Sequence, residues 1–553
     1  MSKIEGLPPE EVSSAPEVLI ADADAVDTGR LDGASGRRVV LVVLAIVLAI
    51  ELVPFQIVLV SLGAQKIAAA FPAAGNQTAW ILTVWGLVGG ALTPLFGKLS
   101  DIVGKKNVMT FSLLVAGAGL LIDALTTSWP LFLVGRALAG FAYPAIIIAY
   151  GLIRDLVPRR WVSTAVAFVA GGSGLTAVIG PVVGGLLSDH YSWRSFFWFM
   201  FIFAAVTVPI FVLLVPETKL RTRQRLDLVG AAILAAGVAL ILIYLNEGQN
   251  WGWGRPATLG WLLGGLALLI VFPFWERTRS APLVDLGLVR ARRVWTVLLV
   301  SGMATTISTG TSYALNYMAQ TPGNTVRQGV IQGVAAQAGQ ALHTHMTPAG
   351  LKALGVGITF NDPLRYALGL SLMQVAIRIS LAITIITVIV APVAGWLFMK
   401  TGVYRPMIGA FLLSAAGTTI FAFFHYNITE LLLAGCLWAV SIGALYAANP
   451  NLIVEGVPQH QQGAFGGLFG AASAFGTALG GTLFTAAAIA HPFRVIITAP
   501  GRKPTIATVP QVYADAGYTE TFVIFTVIAL AAMLIVVFLM RFARQRVTGG
   551  LRH

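Results

Sequence analysis

Residues 39–62 read VVLVVLAIVLAIELVPFQIVLVSL, an almost unbroken apolar run. At 1.5 Å per residue, a helix of this length exceeds the roughly 30 Å hydrocarbon core of a bilayer. The run is continuous rather than alternating, which favours a membrane helix over a barrel strand. Its one acidic residue is Glu51. A carboxylate in the middle of a membrane costs several kcal/mol and usually has a partner and a function.

The composition of the whole chain also indicates a lipid environment. Hydrophobic residues make up 57% of the 553, charged residues 11%, and the mean hydropathy is +0.82. Soluble domains carry about 25% charged residues. Backbone groups in lipid must be satisfied within the protein, so such a chain spans the membrane as helices. The sequence therefore predicts an all-α polytopic membrane protein.

Fourteen apolar segments are long enough to cross the membrane. They are residues 39–62, 79–98, 107–126, 130–152, 163–187, 195–215, 227–246, 257–275, 294–317, 375–399, 406–425, 430–454, 463–489 and 519–541. An even number of crossings places both termini on one side.

The basic residues predict which side that is. Most of the 36 Lys and Arg residues fall in the tails and in the loops on the side of the termini. Because positive residues collect on the cytoplasmic side, both termini are predicted to be cytoplasmic and the membrane to be the plasma (inner) membrane. The net charge of +13 then reflects a cytoplasmic face next to anionic lipid, and nucleic acid is not an expected partner.

An internal repeat divides the chain. TPLFGKLSDIVGKK at 93–106 is echoed by APVAGWLFMKTGVY at 391–404, and GPVVGG at 180–185 by GTALGG at 476–481. Two echoes in the same order and at nearly equal spacing indicate two parallel halves. The sequence predicts a disordered acidic cytoplasmic tail (1–37) followed by a first six-helix bundle (38–216). A linker with two extra membrane helices (217–293) comes next. The second six-helix bundle (294–546) contains a long outer loop at 318–374 and is followed by a short cytoplasmic tail (547–553).

These motifs carry a family resemblance over about residues 38–545. The chain resembles the major facilitator superfamily in its fourteen-helix drug:proton antiporter branch. The segments that carry it are GKLSDIVGKK (97–106), LFLVGRALAG (131–140), GPVVGG (180–185), WRSFF (193–197), LDLVG (226–230), NWGWG (250–254) and APLVDL (281–286). The chain departs from the family pattern at Ile102, Ala139 and Thr176, where Arg, Gln and Gly are usual.

The resemblance implies a proton-coupled exporter of lipophilic or amphiphilic small molecules that works by alternating access, and not an enzyme. An exporter dedicated to one metabolite is the alternative within the same class. A membrane sensor or enzyme on a transporter scaffold is a more distant one. The sequence shows neither a cluster of His, Asp or Glu at the membrane interface nor a folded soluble domain.

Glu51 and Arg136 are the predicted proton-coupling residues. If they face one cavity, the arginine favours the ionised carboxylate and desolvation favours the protonated one. A static, permanently paired Glu51 is the alternative. Asp123, near the end of the third segment, is expected to be solvated.

Two glycine-containing motifs are predicted to move during transport. Asp101 and its neighbours would latch a cytoplasmic gate by pairing with a helix N-terminus and with arginines, unless they form only a charged turn. The glycines and proline of GPVVGG would form a bent helix contact that shifts between states, unless they serve only in packing. The gate residues are Gly97, Asp101, Gly104, Lys105 and Lys106, and the hinge residues are Gly180, Pro181, Gly184 and Gly185.

Aromatic and neutral polar residues are predicted to line the substrate cavity near the midplane. For each of them, hydrogen bonding between helices is an equal alternative. They are Trp85, Tyr143, Tyr313, Asn316, Trp438, Tyr446 and Asn449.

No cofactor is expected beyond the proton gradient as energy source, and no metal is expected within the membrane. His343 and His345 could form a weak metal site on the outer loop, although an ordinary solvated loop explains them as well. The loop at 318–374 either covers the outer mouth and contacts an envelope partner, or is a tolerated insertion. The expected partners are a small-molecule substrate and the lipid bilayer, with the protein as a monomer.

Overall fold

The computed structural model describes residues 29–72, 77–221, 226–279, 282, 292–343, 345–456 and 462–543. Most of the predicted acidic tail, the tail at 547–553 and the APLVDL segment, apart from Pro282, lie outside these ranges. The side chain of Asn449 is also outside what the structure describes.

Helices account for most of the described residues. They are α1 (Gly36–Ile50), α2 (Leu52–Ala70), α3 (Trp80–Val103), α4 (Lys105–Leu125), α5 (Trp129–Ala139), α6 (Ala145–Leu156), α7 (Arg159–His190), α8 (Arg194–Leu214), α9 (Leu228–Trp251), α10 (Pro256–Arg277), α11 (Arg292–Gln320), α12 (Gly323–Ala341), α13 (Pro348–Ala353), α14 (Leu372–Val375), α15 (Leu381–Thr401), α16 (Tyr404–Phe423), α17 (Ile428–Gly456), α18 (Gln462–Ala490) and α19 (Asp515–Ala543).

Thirteen helical segments among the described residues are long and apolar enough to cross a membrane. They correspond to thirteen of the predicted segments, with α1 and α2 forming the first and α5 and α6 the fourth. The remaining prediction, 163–187, coincides with α7, a single helix of 32 residues. The protein is thus an all-α polytopic membrane protein.

The internal repeat has a structural counterpart at the ends of α3 and α15. Each helix contains a proline, Pro94 or Pro392, and each ends at a glycine with positive φ. The φ values are 125° at Gly104 and 77° at Gly402. L side chains rarely adopt such conformations, which explains why both echoes keep a glycine at this position.

The two inserted helices, α9 and α10, pack against each other, and α9 also lies against α3 and α18. It therefore covers the seam where the two halves meet. At the seam, Trp80 Nε1 donates to Glu247 over 3.0 Å. Asn246 Nδ2 donates to Thr482 Oγ1 over 3.1 Å, and Thr482 also bonds to the hydroxyl of Thr83.

One end of the bundle carries a small sheet that the sequence analysis did not predict. Strands β1 (Gly357–Phe360), β2 (Pro492–Thr498) and β3 (Thr505–Tyr513) pair antiparallel in the order β1-β2-β3. With α12 and α13 they form what we call the loop face. The opposite end, where α1 begins, is the termini face. The described residues of the segment 318–374 therefore contain helices and a strand and form part of a folded cap.

The two halves are joined at the loop face by hydrogen bonds. Gln320 Nε2 donates to the Leu62 carbonyl over 2.8 Å, and Ser371 donates to Asp189 over 3.0 Å. Gln511, which has a φ of 59°, donates from its side chain to the Ala68 carbonyl over 2.8 Å. These contacts close the seam between the halves at this end.

Candidate functional site

Glu51 lies at the junction between α1 and α2. Pro54 explains the break, because its ring cannot donate to the carbonyl of Ile50 and crowds it. The side chain of Glu51 is 5% exposed. Its Oε2 accepts a hydrogen bond from Thr176 Oγ1 of α7, and its Oε1 has no hydrogen-bond partner among the described residues. Thr176 stands where the resembled family usually has glycine, so this departure supplies the partner of Glu51.

Arg136 lies in α5 and is fully buried. Its Nε donates to the Ile81 carbonyl over 3.0 Å, and its Nη1 donates to Gln56 Oε1 over 3.4 Å. Its nearest carboxylate oxygen is Asp123 Oδ2, at 3.7 Å. No hydrogen bond or ion pair between Arg136 and Glu51 is described, because the described partners of the arginine lie further along α2 and on α3 and α4; the shared cavity of the two residues stays a prediction.

The expectation of a solvated Asp123 is wrong. The residue is completely buried, since α4 and α5 approach closely at two glycines. A Cβ added at Gly135 would lie 2.1 Å from Asp123 Oδ1, and one added at Gly119 would lie 2.5 Å from the Gly135 carbonyl. A glycine-based helix contact opposite the acid was the sequence signal that could have predicted this burial.

The predicted gate residues form a charged cluster at the termini face, within the first half. Lys105 Nζ lies 2.8 Å from Asp101 and 2.9 Å from Asp155. The carboxylate at the N-terminus of α4 belongs to Glu217, which accepts from the backbone amides of Lys106 and Asn107, each over 3.0 Å. The expectation that Asp101 fills this role is wrong, because Asp101 lies in the helix before it and pairs with Lys105.

The gate glycines differ in their surroundings. A Cβ added at Gly104 would lie 2.5 Å from the Glu217 carboxylate, so Gly104 gives that side chain access to the start of α4. A Cβ added at Gly97 would meet no atom of the described residues within 4 Å. The position of Gly97 is therefore loosely packed, in contrast to the sealed loop face.

The hinge residues connect three parts of the bundle. Gly180 and Gly184 pack on the first span, where an added Cβ would lie 2.8 Å from Val58 or from Leu62. A Cβ at Gly185 would lie 2.7 Å from the Cα of Met373 in the second half. Pro181 is buried inside α7. The helix that bears Thr176 thus touches both halves near the loop face.

Part of the predicted substrate cavity is assembled at the seam. The rings of Trp85 and Tyr143 are 5.2 Å apart and edge to face. Tyr143 also interacts with Thr477 of α18 and with Tyr446 of α17, so it contacts the second half. Tyr446 is 53% exposed and forms the wall of a narrow pocket with Thr305 and Ser308 of α11.

Other predicted cavity residues lie inside the second half. Tyr313 is fully buried and packs edge to face on Phe484 at 5.2 Å. Trp438 packs on Gly417, where an added Cβ would lie 3.0 Å from it. Asn316 bonds back to the Ser312 carbonyl over 2.9 Å. For Tyr313 the expected cavity position is wrong, because its ring packs inside the second half; the cavity position of Trp438 stays a prediction. The sequence prediction also did not include Thr477, which interacts with Tyr143, or Gln56, which bonds to Arg136.

Among the described residues, no group of three or more His, Cys, Asp or Glu could hold a metal ion. The ionisable groups of interest are instead two separate carboxylates. Glu51 accepts a hydrogen bond from the hydroxyl of Thr176, and Asp123 lies beside the guanidinium of Arg136. Such groups can bind and release protons.

Residues 44–361 match the family model described as Major Facilitator Superfamily. The chain is similar to the "Probable actinorhodin transporter" of Streptomyces coelicolor, at 28% identity over 53% of this chain and 52% of that protein. It is similar to the "Multidrug export protein EmrB" of Escherichia coli K12, at 26% identity over 46% of this chain and 51% of that protein. It is also 29% identical to an uncharacterized MFS-type transporter, Rv1877, of Mycobacterium tuberculosis, over 36% of this chain and 30% of that protein. The chain thus spans about half, or less, of the length of these relatives.

Solved structures share the fold at low sequence identity. An auto-inhibited POT family peptide transporter matches with a TM-score of 0.58 and 15% identity, over 94% of this chain and 99% of that one. The human organic anion transporter MFSD10 matches with a TM-score of 0.51 and 15% identity, over 90% of this chain and 99% of that one. At these identities the likeness concerns the fold alone.

Proposed function

Because the chain belongs to the Major Facilitator Superfamily, we propose that it is a secondary-active transporter that exports lipophilic or amphiphilic small molecules in exchange for protons. The observation that carries the proposal is the environment of Glu51. It is a buried carboxylate in the first span, and the described residues offer it a single hydrogen bond, from Thr176.

That environment suits a group that changes its protonation state. A carboxylate paired with a cation would be held in the ionised form. Thr176 instead offers a hydroxyl, which can donate to a carboxylate or accept from a carboxylic acid. The contact between the first span and α7 can therefore persist in both states, while the charge within the membrane changes.

The helix packing suits alternating access. Hydrogen bonds between the halves close the loop face, and small residues let the helices approach at the seam. Gly185 brings α7 against α14, and Gly86 lets α3 approach α18, where an added Cβ would lie 2.8 Å from the Ala474 carbonyl. Opening the loop face requires these few bonds to break, with no loss of the cores of the two halves.

The substrate class follows from the residues at the seam. Tyr143 and Tyr446 offer aromatic surface, and Thr305, Ser308 and Thr477 offer neutral hydroxyls. Such walls suit an amphiphilic or aromatic molecule, since aromatic faces bind apolar groups and a few hydroxyls orient polar ones. Relatives named for multidrug export and for actinorhodin transport support this class.

In the membrane, we place the termini face on the cytoplasmic side of the plasma (inner) membrane, from the distribution of basic residues. The protein then acts as a monomeric carrier that needs no cofactor beyond the proton gradient. An envelope partner at the loop face stays a prediction, and the cap formed by 318–374 and the sheet is where it would bind.

Purified full-length protein in proteoliposomes tests the proposal. An imposed pH gradient is expected to drive accumulation of an aromatic dye such as ethidium, and the dye gradient is expected to move protons. Competition by chemically unrelated amphiphiles would support the multidrug class, whereas competition by one compound alone would favour a dedicated exporter. Dye movement that ignores the pH gradient would contradict proton coupling.

A further inference from the structure

Asp123 and Arg136 form a fully buried pair that the role of Glu51 does not use. We propose that Asp123 is a second proton-binding site, open to protons from the loop face and coupled through Arg136 and Gln56 to the first span. The inference rests on the proposed proton-coupled transport and adds a second titrating carboxylate to it.

The geometry of the pair differs from that of a static ion pair. A buried salt bridge stabilises a protein only when its geometry is excellent and its remaining polar atoms are satisfied. Here the shortest distance is 3.7 Å, and neither oxygen of Asp123 accepts a hydrogen bond among the described residues. The described hydrogen bonds of Arg136 go to neutral acceptors, the Ile81 carbonyl and the Gln56 amide, and its Nη2 has none.

Asp123 can therefore bind a proton without breaking a hydrogen bond. A proton from water adds to one carboxylate oxygen and gives the neutral acid, while the guanidinium keeps its charge. The pair changes from neutral to a net charge of +1. Because the bonds of Arg136 to Ile81 and Gln56 do not involve the carboxylate, the arginine stays solvated by dipoles in both states.

Asp123 lies close to the loop face along α4, although its side chain is fully buried in this structure. It lies two residues before the end of α4 at Leu125, and Thr126 and Ser128 follow. The charged groups around it are Arg136 on α5 and Arg194 at the start of α8, which donates to the Thr126 carbonyl over 2.8 Å. No other acidic side chain forms a described hydrogen bond or ion pair with these two arginines.

Gln56 provides the link to the first span. Its Oε1 accepts from Arg136, and its Nε2 donates to the Ala139 carbonyl over 3.3 Å. Gln56 follows Glu51 by five residues, about 7.5 Å along a helix. A change of charge at Asp123 thus acts, through Arg136 and the Gln56 side chain, on α2, which begins directly after Glu51.

Infrared difference spectroscopy tests the protonation itself, without depending on transport. In the Glu51→Gln background, a carbonyl band from a protonated carboxyl group is expected to titrate with pH. Adding Asp123→Asn is expected to abolish this band, whereas adding Glu520→Gln, at a half-exposed acid of the loop face, is expected to leave it. A titrating band that survives Asp123→Asn, or no titrating band in the Glu51→Gln background, overturns the proposal.

The transport consequence is a change in stoichiometry. Reversal-potential measurements with ethidium in proteoliposomes are expected to show one proton fewer per dye molecule for Asp123→Asn than for the native chain. An unchanged ratio overturns the second site. If native protein shows no coupling at all, the proposed function fails, and the infrared result still decides whether Asp123 titrates.

Asp123→Asn fixes the pair in the state of net charge +1 that protonation reaches only transiently, so this variant is expected to be less stable than the native protein. The paired variant Asp123→Asn with Arg136→Gln removes both charges and is expected to fold and to lose the same infrared band. If the paired variant folds and keeps the titrating band, the assignment to Asp123 is wrong.

Discussion

Thr176 of α7 donates a hydrogen bond to the carboxylate of Glu51 at the junction of α1 and α2. The bond joins the helix that carries the GPVVGG motif to the first span. It also places the hydroxyl of a residue that departs from the resembled family on the group proposed to exchange protons.

Thr176→Ala is expected to slow transport several-fold, because Glu51 would lose its described hydrogen bond inside the membrane. Removing one partner of a buried polar group costs about 1–3 kcal/mol. Thr176→Ser keeps a hydroxyl and is expected to recover most of the rate. Initial rates of ethidium transport in proteoliposomes provide the measurement. Equal rates for the alanine and serine variants would show that the hydroxyl is not needed.

Gly185→Val is expected to loosen the loop face. The new Cβ would lie 2.7 Å from the Cα of Met373, so α14 must move away from α7. The only cysteine is Cys436, so Cys436→Ser gives a background in which Leu62→Cys, at a buried position beside the seal, reports access to a thiol reagent.

Labelling at position 62 is expected to rise several-fold with Gly185→Val. Gly395→Val is the matched control, because a Cβ at Gly395 would meet no atom within 4 Å in the part of the chain that the structure describes. Equal labelling in both variants would contradict the seal assigned to α7 and α14.

Glu217→Ala is expected to destabilise the protein by about 1–2 kcal/mol, the usual cost of losing a helix N-terminal cap. Glu217 accepts from the amides of Lys106 and Asn107 at the start of α4. Asp101→Ala is expected to cost less, because the side chain is half exposed and exposed ion pairs contribute about 0–1 kcal/mol. Thermal unfolding in detergent compares the two. A larger loss for Asp101→Ala would restore Asp101 as the central residue of this cluster.

His425→Phe is expected to release the start of α19 from α16 at the loop face. The buried His425 ring bonds to the Phe421 carbonyl through Nδ1, over 2.6 Å, and to Asp515 through Nε2. Losing both bonds is expected to cost about 1–3 kcal/mol and to speed proteolysis within 318–374.

His491→Phe is the control for that change. His491 pairs with Glu520 over 2.6 Å, but both side chains are well exposed, so the loss is expected to be small. Equal proteolysis of the two variants would mean that His425 does not anchor the loop face.

The sequence predicted the spans because apolar length is set by the bilayer and does not depend on packing. It predicted Glu51 as buried for the same reason. It could not assign the partner of Glu51, since Thr176 lies far away in the chain and only the fold brings it near.

Asp123 was expected to be solvated because it lies close to the end of its span. The glycine contact between α4 and α5 buries it instead. Tyr313 was misjudged because aromatic side chains fill helix contacts as readily as cavities. The sheet could have been predicted from PFRVIIT and TIATVPQVY, two β-branched runs separated by a turn with Gly501 and Pro504.

The comparison of native protein with Glu51→Gln in proteoliposomes tests the central claim most directly. The variant is expected to exchange ethidium for ethidium across the membrane at a rate near that of the native chain, while an imposed pH gradient drives net movement far more weakly, because only the site proposed at Asp123 remains to couple protons. If a pH gradient drives net dye movement equally well in native and Glu51→Gln protein, Glu51 is not the group that couples protons to transport.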